Sequence, residues 1–276
     1  MIPSRWPIPK KACDTHIHIY DLDKFPLKQT SAVSPPHVNW TDYDALRQQL
    51  GTERTIIVQP MGYGFDNACT LDALQQSQGS ARAVISAPSD NTPTALEALD
   101  HAGVVGIRFQ MVPNSGNIMH WEELRPLAET IAPWGWTINL QLDGRELPDF
   151  ETLLTDLPCP LVIDHVGKFL EPVPVKHPGF LSLRRLLDQG NTWVKLSAMY
   201  ETSKTGAPEY ADVGVLAKTL AHNYPERCLW ASNWPHPGQT DRPNDANLLA
   251  LLDHWCASEE DRNRILVGNP EKLYRF

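Results

Sequence analysis

Thr55-Ile56-Ile57-Val58-Gln59-Pro60 and Pro160-Leu161-Val162-Ile163-Asp164-His165-Val166 are short apolar runs without polar alternation, each ending abruptly in polar or turn-forming groups. A strand with one wet face alternates apolar and polar residues, whereas a continuous run indicates a parallel strand covered on both faces. With these two included, β-rich runs occupy 12–20, 55–60, 81–87, 106–111, 136–142, 161–166, 193–198 and 228–234. Successive starts lie about 25 to 45 residues apart, the length of a strand, a helix and two loops in a βαβ unit. Helical spacing fills the intervals at 42–50, 66–76, 94–101, 121–131, 147–155, 179–187, 210–223 and 244–256. Eight alternations predict an α/β fold, a (β/α)8 TIM barrel in which residues 1–276 form a single domain. An open doubly wound sheet is the competing architecture, but no G-x-G-x-x-G follows the first run and no G-x-x-x-x-G-K-[ST] occurs. The longest irregular segment, 21–40, follows the first strand and is expected to be an active-site loop.

Composition narrows the function classes. Of 276 residues, 42% are hydrophobic and 21% charged, enough apolar material for one sizeable core. Lys and Arg number 24 against 33 Asp and Glu, a formal charge of −9. That balance argues against nucleic acid or an anionic membrane surface as the main partner, and points to a small molecule. The opening MIPSRWPIPKK carries three prolines where a secretory signal has an apolar run, and no stretch is long enough to span a bilayer, so the expected location is cytoplasmic. Cys13, Cys69, Cys159, Cys228 and Cys256 are scattered without a C-x-x-C and read as reduced and mostly buried. Monomer and homo-oligomer both remain open.

In a barrel of this kind the site forms where the strands end. The first strand carries Asp14-Thr15-His16-Ile17-His18, and a period of two puts both histidines on one face. A lone histidine there would read as core, whereas a pair suits two imidazoles on a metal or two donors to an anionic substrate. Arg108 stands inside the apolar run Gly106-Ile107-Arg108-Phe109, where a buried guanidinium must meet an anion, either a substrate carboxylate or a structural partner. The sixth strand ends in Asp164, His165 and Lys168, and the eighth in Ser232-Asn233-Trp234-Pro235-His236, with Asn233 and His236 reaching the mouth. The nine tryptophans, and the histidines in predicted loops and helices, read as packing or surface.

Together, H-x-H on the first strand, D-H-x-G on the sixth and S-N-W-P-H on the eighth resemble the amidohydrolase superfamily over nearly the whole chain. Val58-Gln59 with Asp66-Asn67, Gly106-Ile107-Arg108-Phe109 and the terminal Asn269-Pro270-Glu271-Lys272-Leu273-Tyr274 are similar to its amidohydrolase-2 subgroup of 2-pyrone-4,6-dicarboxylate lactonases and galactarolactone isomerases. Within it, Met199-Tyr200-Glu201-Thr202-Ser203 and Tyr210-Ala211-Asp212-Val213 resemble the isomerases most. Binuclear members draw a carboxylated lysine from the fourth strand and a histidine from the fifth. Here those strands offer Arg108, and Asn139, Gln141 and Asp143. The resemblance therefore implies a metal-independent site with no cofactor, the alternative being one zinc at His16, His18 and His165. Asn233 stands where hydrolases of the superfamily carry the aspartate that takes a proton from water, and an amide cannot be that base.

The expected activity is isomerisation of a sugar-diacid lactone, galactaro-1,5-lactone to the 1,4-lactone, by intramolecular transesterification. His16, His18 and His165 are expected to donate to the carbonyl oxygen, with His165 or His18 as proton acceptor and Asn233 orienting a hydroxyl. Arg108 and Lys168 are the expected carboxylate anchors. Gln59, Tyr63, Asn67, Gln141, Asp164, Tyr200 and His236 complete the substrate-binding set. The competing expectations are a lactonase hydrolysing a dicarboxylate lactone and, in another class, a non-catalytic barrel that binds a sugar acid.

Overall fold

The computed structural model describes residues 2–29, 35–89, 93–113 and 118–276. Its eight strands are β1 (Cys13–Ile17), β2 (Arg54–Val58), β3 (Ala81–Ile85), β4 (Val104–Gln110), β5 (Thr137–Gln141), β6 (Leu161–Ile163), β7 (Thr192–Leu196) and β8 (Cys228–Trp230). All seven ladders are parallel and run in sequence order. The sheet closes where His18 N–H donates to Trp234 O at 2.8 Å and Asn233 N–H to His16 O at 3.0 Å. Helices α1 (Trp40–Leu50), α2 (Ala68–Gln76), α3 (Pro93–Ala102), α4 (Trp121–Ile131), α5 (Leu147–Thr155), α6 (Pro178–Asp188), α7 (Ala211–Asn223) and α8 (Asp245–Trp255) fill the intervals. The sequence expectation of a (β/α)8 TIM barrel holds, with strand ends shorter than expected because the last residues of each run leave the ladder to form the site. None of these helices, nor any other among the described residues, is long and apolar enough to cross a membrane.

Apolar side chains pack in two shells. The larger lies between strands and helices, as in Ile57, Phe109, Leu140, Leu183 and Leu216. The smaller fills the barrel itself with Cys13, Ile56, Val58, Val84, Val105, Val162, Trp193 and Leu229, joined by Leu273 and Tyr274. These last two come from α10 (Asn269–Tyr274), which follows α9 (Glu259–Asn263), so the chain's end plugs the bottom of the barrel. Asn269 holds the plug by donating to the carbonyls of Pro225 and Cys228, both at 2.7 Å. All five cysteines are free and buried.

Two local features bear on the site. Gly106 opens the inward face of β4, and a Cβ there would lie 2.4 Å from Thr137 Oγ1 and 2.6 Å from Thr137 O, so only glycine lets β4 and β5 approach. The β1–β2 register shifts between Asp14 and Ile17. Asp14 fixes that irregularity: its buried carboxylate accepts from Ser232 N–H at 2.9 Å, Ser232 Oγ at 2.5 Å, Tyr43 Oη at 3.2 Å and His16 N–H at 3.4 Å. Cys13 therefore joins the inner cluster, and His16 and His18, beyond the shift, turn into the barrel as well.

Candidate active site at the carboxyl ends of the strands

The inner apolar cluster gives way to a polar layer. His16 of β1, Asn139 of β5 and Lys195 of β7 come from alternate strands, the arrangement by which barrel interiors are layered. Lys195 is fully buried, and its Nζ lies 3.0 Å from His16 Nδ1, 3.0 Å from Asn139 Oδ1 and 3.0 Å from Asp164 Oδ1. Asp164 also receives Arg108 Nε at 3.3 Å. Burial opposes ionisation of Asp164, but the Lys195 ammonium and the Arg108 guanidinium outweigh it and hold the carboxyl well below the usual range. The imidazoles follow in order. His16 Nε2 and His18 Nε2 are 3.2 Å apart, and His18 Nδ1 is 2.7 Å from Val58 O. A carbonyl only accepts, so His18 carries its proton on Nδ1 and presents a lone pair at Nε2 to a proton on His16 Nε2. His16 Nδ1 then accepts from Lys195.

Above this floor a cavity of about 270 Å³ is lined by His18, Arg108, Gln141, His165, Lys168, Glu201 and Asn233 among its polar groups. Leu27 and Pro35 of the long loop after β1 form part of its wall, as expected for an active-site loop; residues 30–34 of that loop lie outside the described residues. Burial lowers His18 to about 3 and His165 to about 4, and holds His16 well below its ordinary value, so all three rings are neutral at working pH. His165 Nδ1 pairs with Ser197 Oγ at 2.8 Å, which turns Nε2 toward the cavity. Glu201 is ion-paired to Lys168. Asn233 Nδ2 donates to Tyr200 Oη at 2.9 Å and to Glu201 Oε1 at 3.1 Å, while its Oδ1 is buried without a partner among the described residues. Tyr200 Oη also meets His236 Nδ1 at 2.8 Å, and His236 Nε2 meets Asp245 Oδ1 at 3.0 Å. His165, Val166, Lys168, Ala198, Asn233 and His236 all have φ between 42° and 62°, left-handed backbone that non-glycine residues adopt at a cost, clustered at the ends of β6, β7 and β8.

The sequence-derived candidates separate accordingly. His18, Arg108, Gln141, His165, Lys168 and Asn233 face the cavity. Arg108 is both kinds of residue that the sequence allowed, since it pairs with Asp164, donates to Gln141 Oε1 at 2.6 Å and still borders the cavity. His16 and Asp164 lie beneath the cavity, and Tyr200 and His236 behind Asn233. Three candidates are committed elsewhere. Gln59 donates to the carbonyls of Gly64 and Asp66 and accepts from Thr70 Oγ1. Asn67 ties Phe65 O to Ser86, and Tyr63 packs its buried ring against Tyr20. The polar groups of Gln59 and Asn67 hold the loops after β2 and β3 rather than a substrate, and the Tyr63 hydroxyl is buried without a hydrogen-bond partner among the described residues. Nor do His16 and His18 offer the N–H donors expected of them, because the protons of both rings are used within the floor network. Sequence reasoning missed Lys195, Ser197, Tyr20 and a role for Glu201. Lys195 had a signal: Trp193-Val194-Lys195-Leu196 sets a charge inside an apolar strand, the pattern that marked Arg108.

His16, Asp164 and His165 can each present a ligand atom within 4.8 Å of the others, a cluster of metal-binding geometry. The Lys195 ammonium stands against two of its three members.

Comparison with known proteins agrees with this architecture. The chain is 34% identical over 280 residues to 4-sulfomuconolactone hydrolase of Hydrogenophaga intermedia, covering 99% of this chain and 91% of that protein. It is 34% identical over 273 residues to D-galactarolactone isomerase of Agrobacterium fabrum, covering 97% and 92%. An apo crystal structure of an Agrobacterium tumefaciens protein superposes with a TM-score of 0.89 at 35% identity, covering 97% of both chains. The amidohydrolase family profile matches residues 13–276, and the chain belongs to that family of enzymes.

Proposed function

We propose that this barrel isomerises a lactone that carries one free carboxylate, such as a sugar-diacid 1,5-lactone converting to its 1,4-lactone, by attack of the substrate's own hydroxyl on its lactone carbonyl. The observation that carries this reading is Asn233. At the end of β8 the site has an amide that donates to Glu201 and Tyr200 and leaves Oδ1 free as a buried acceptor. An aspartate here would place a second carboxylate against Glu201. An amide cannot deprotonate water, but Oδ1 can accept a hydrogen bond from a substrate hydroxyl and orient it. A hydroxyl already on the substrate attacks at high effective molarity, on the order of 7 to 11 kcal/mol of the barrier in good geometry.

Charge supports the substrate class. With the three imidazoles neutral, the ion-paired cations Arg108, Lys168 and Lys195 meet two carboxylates, Asp164 and Glu201, a surplus of one positive charge within that network. A monolactone of a diacid brings one carboxylate and neutralises it. A sulfonated muconolactone, the substrate in the name of the other relative, brings two anions. Arg108, oriented by Asp164 and Gln141, anchors the carboxylate, and Lys168 donates to the carbonyl oxygen as charge develops there. His165 Nε2, with Nδ1–H donating to Ser197, receives the hydroxyl proton and returns it to the departing ring oxygen. No water is consumed and no cofactor takes part.

Proton NMR of the enzyme mixed with freshly generated galactaro-1,5-lactone tests the reading. The expected result is 1,4-lactone forming faster than the blank without excess open diacid; accumulation of diacid would establish a lactonase instead.

A further inference from the structure

The His16, Asp164 and His165 cluster has the residue types and the closeness of a metal site, yet the Lys195 ammonium stands against two of its three members. The geometry points to Lys195 as a built-in cation: it fixes the proton positions of the His16–His18 pair and makes the site refuse a divalent metal. This goes beyond the reaction assigned above and does not depend on which lactone is turned over.

Count donors and acceptors. Lys195 Nζ hydrogen-bonds Asn139 Oδ1 and His16 Nδ1, both at 3.0 Å, and lies 3.0 Å from the Asp164 Oδ1 carboxylate oxygen as an ion-pair partner, so all three neighbours favour an ammonium. A neutral amine, with two protons for Asn139 Oδ1 and the carboxylate, has only its lone pair left for His16 Nδ1. It would have to take the His16 Nδ1 proton on its lone pair, and His16 Nε2 and His18 Nε2 would then face each other at 3.2 Å with two lone pairs and nothing between. The ammonium removes that conflict: His16 Nδ1 accepts from Lys195, Nε2–H donates to His18 Nε2, and His18 Nδ1–H donates to Val58 O. In this state neither histidine has a free lone pair, so the residues do not fit a zinc ion, which needs unprotonated ring nitrogens. The cation also acts on the wall. Lys195 shares Asp164 with Arg108, so the guanidinium is held at 3.3 Å by a carboxylate already half balanced from below, and it keeps positive charge for the cavity. Lys195 is not among the residues that line the cavity and is a positioning residue.

Histidine-selective 15N correlation NMR on the intact wild-type enzyme, with His16→Asn and His18→Asn used only to assign signals, reads the proton positions directly. The expected spectrum shows His16 as the Nε2–H form and His18 as the Nδ1–H form at neutral pH; a His16 ring protonated on Nδ1 would overturn the proposal. Equilibrium dialysis against zinc with metal analysis reads the exclusion. Wild type is expected to stay essentially zinc-free and to keep its activity after treatment with a chelator. Folded Lys195→Met and Lys195→Ala are expected to gain about one zinc per chain, lost again when His16→Asn is added. A merely structural lysine would cost stability without creating a metal site. Stoichiometric zinc in wild type, or variants that fold and take up none, would contradict the assignment.

Discussion

At the residue scale, Arg108 shows how one side chain serves both the barrel and the substrate. Its Nε is turned to Asp164 and its Nη2 to Gln141, so the remaining edge is aimed at the cavity rather than free to wander. Preorganisation of this kind gives affinity because little side-chain freedom is lost on binding. Arg108→Met is expected to raise KM for a lactone with a free carboxylate by about 10- to 100-fold, from loss of one charge-assisted pair. KM for the corresponding ester should change little. Steady-state kinetics on acid and ester check this, and equal effects on both would remove the anchor role. The sequence made Arg108, the two histidines of β1, Asp164, His165 and Asn233 legible because each interrupts an apolar run or a strand end. Lys195 carried the same signal on β7, but its partners His16, Asn139 and Asp164 come from three other strands, and only the closed barrel brings them together.

At the element scale, the strands hold the site through close approaches that composition does not reveal. All eight strands and the eight helices between them were readable from periodicity, since long amphipathic or buried runs leave a strong pattern. The β1 irregularity held by Asp14 and the roles of Gln59, Asn67 and Tyr63 were not, because they depend on which loop meets which strand. Gly106 is the sharpest case. Gly106→Ala places a methyl against Thr137 and within 3.2 Å of Asn139 Nδ2, whose Oδ1 receives Lys195. Overpacking there is expected to cost about 1 to 3 kcal/mol, read as a lower denaturant midpoint, together with a fall in kcat as the polar layer shifts. An unchanged midpoint would mean that β4 and β5 separate without penalty.

At the scale of the whole molecule, the buried imidazoles make stability depend on pH. His18 at about 3 and His165 at about 4 lie below the 6.5 of an exposed histidine, so the unfolded chain takes up protons first as pH falls. Their contribution is complete above about pH 6.5 and is lost through the window down to 4 and then 3. Asp14, raised to about 6 by burial, works the other way: it favours the fold at low pH, and that contribution fades as pH rises through 6. Between pH 7.5 and 5 the two histidines remove about 2 kcal/mol each and Asp14 restores about 1, a net loss of about 3 kcal/mol. His16 adds to the loss. Thermal unfolding should therefore show a Tm several degrees lower at pH 5 than at pH 7.5; a flat or rising Tm would contradict the burial of neutral histidines.

In the proposed reaction the nucleophile belongs to the substrate and not to water. Running the reaction in H2(18)O and weighing the products separates the two. Intramolecular attack breaks the ring C–O bond and forms another from an oxygen already present, so the 1,4-lactone formed by the enzyme should carry no heavy oxygen above the blank. A heavy oxygen in the product, either in an open diacid or in a lactone re-closed from it, would show that the site activates water and that Asn233 does not exclude hydrolysis.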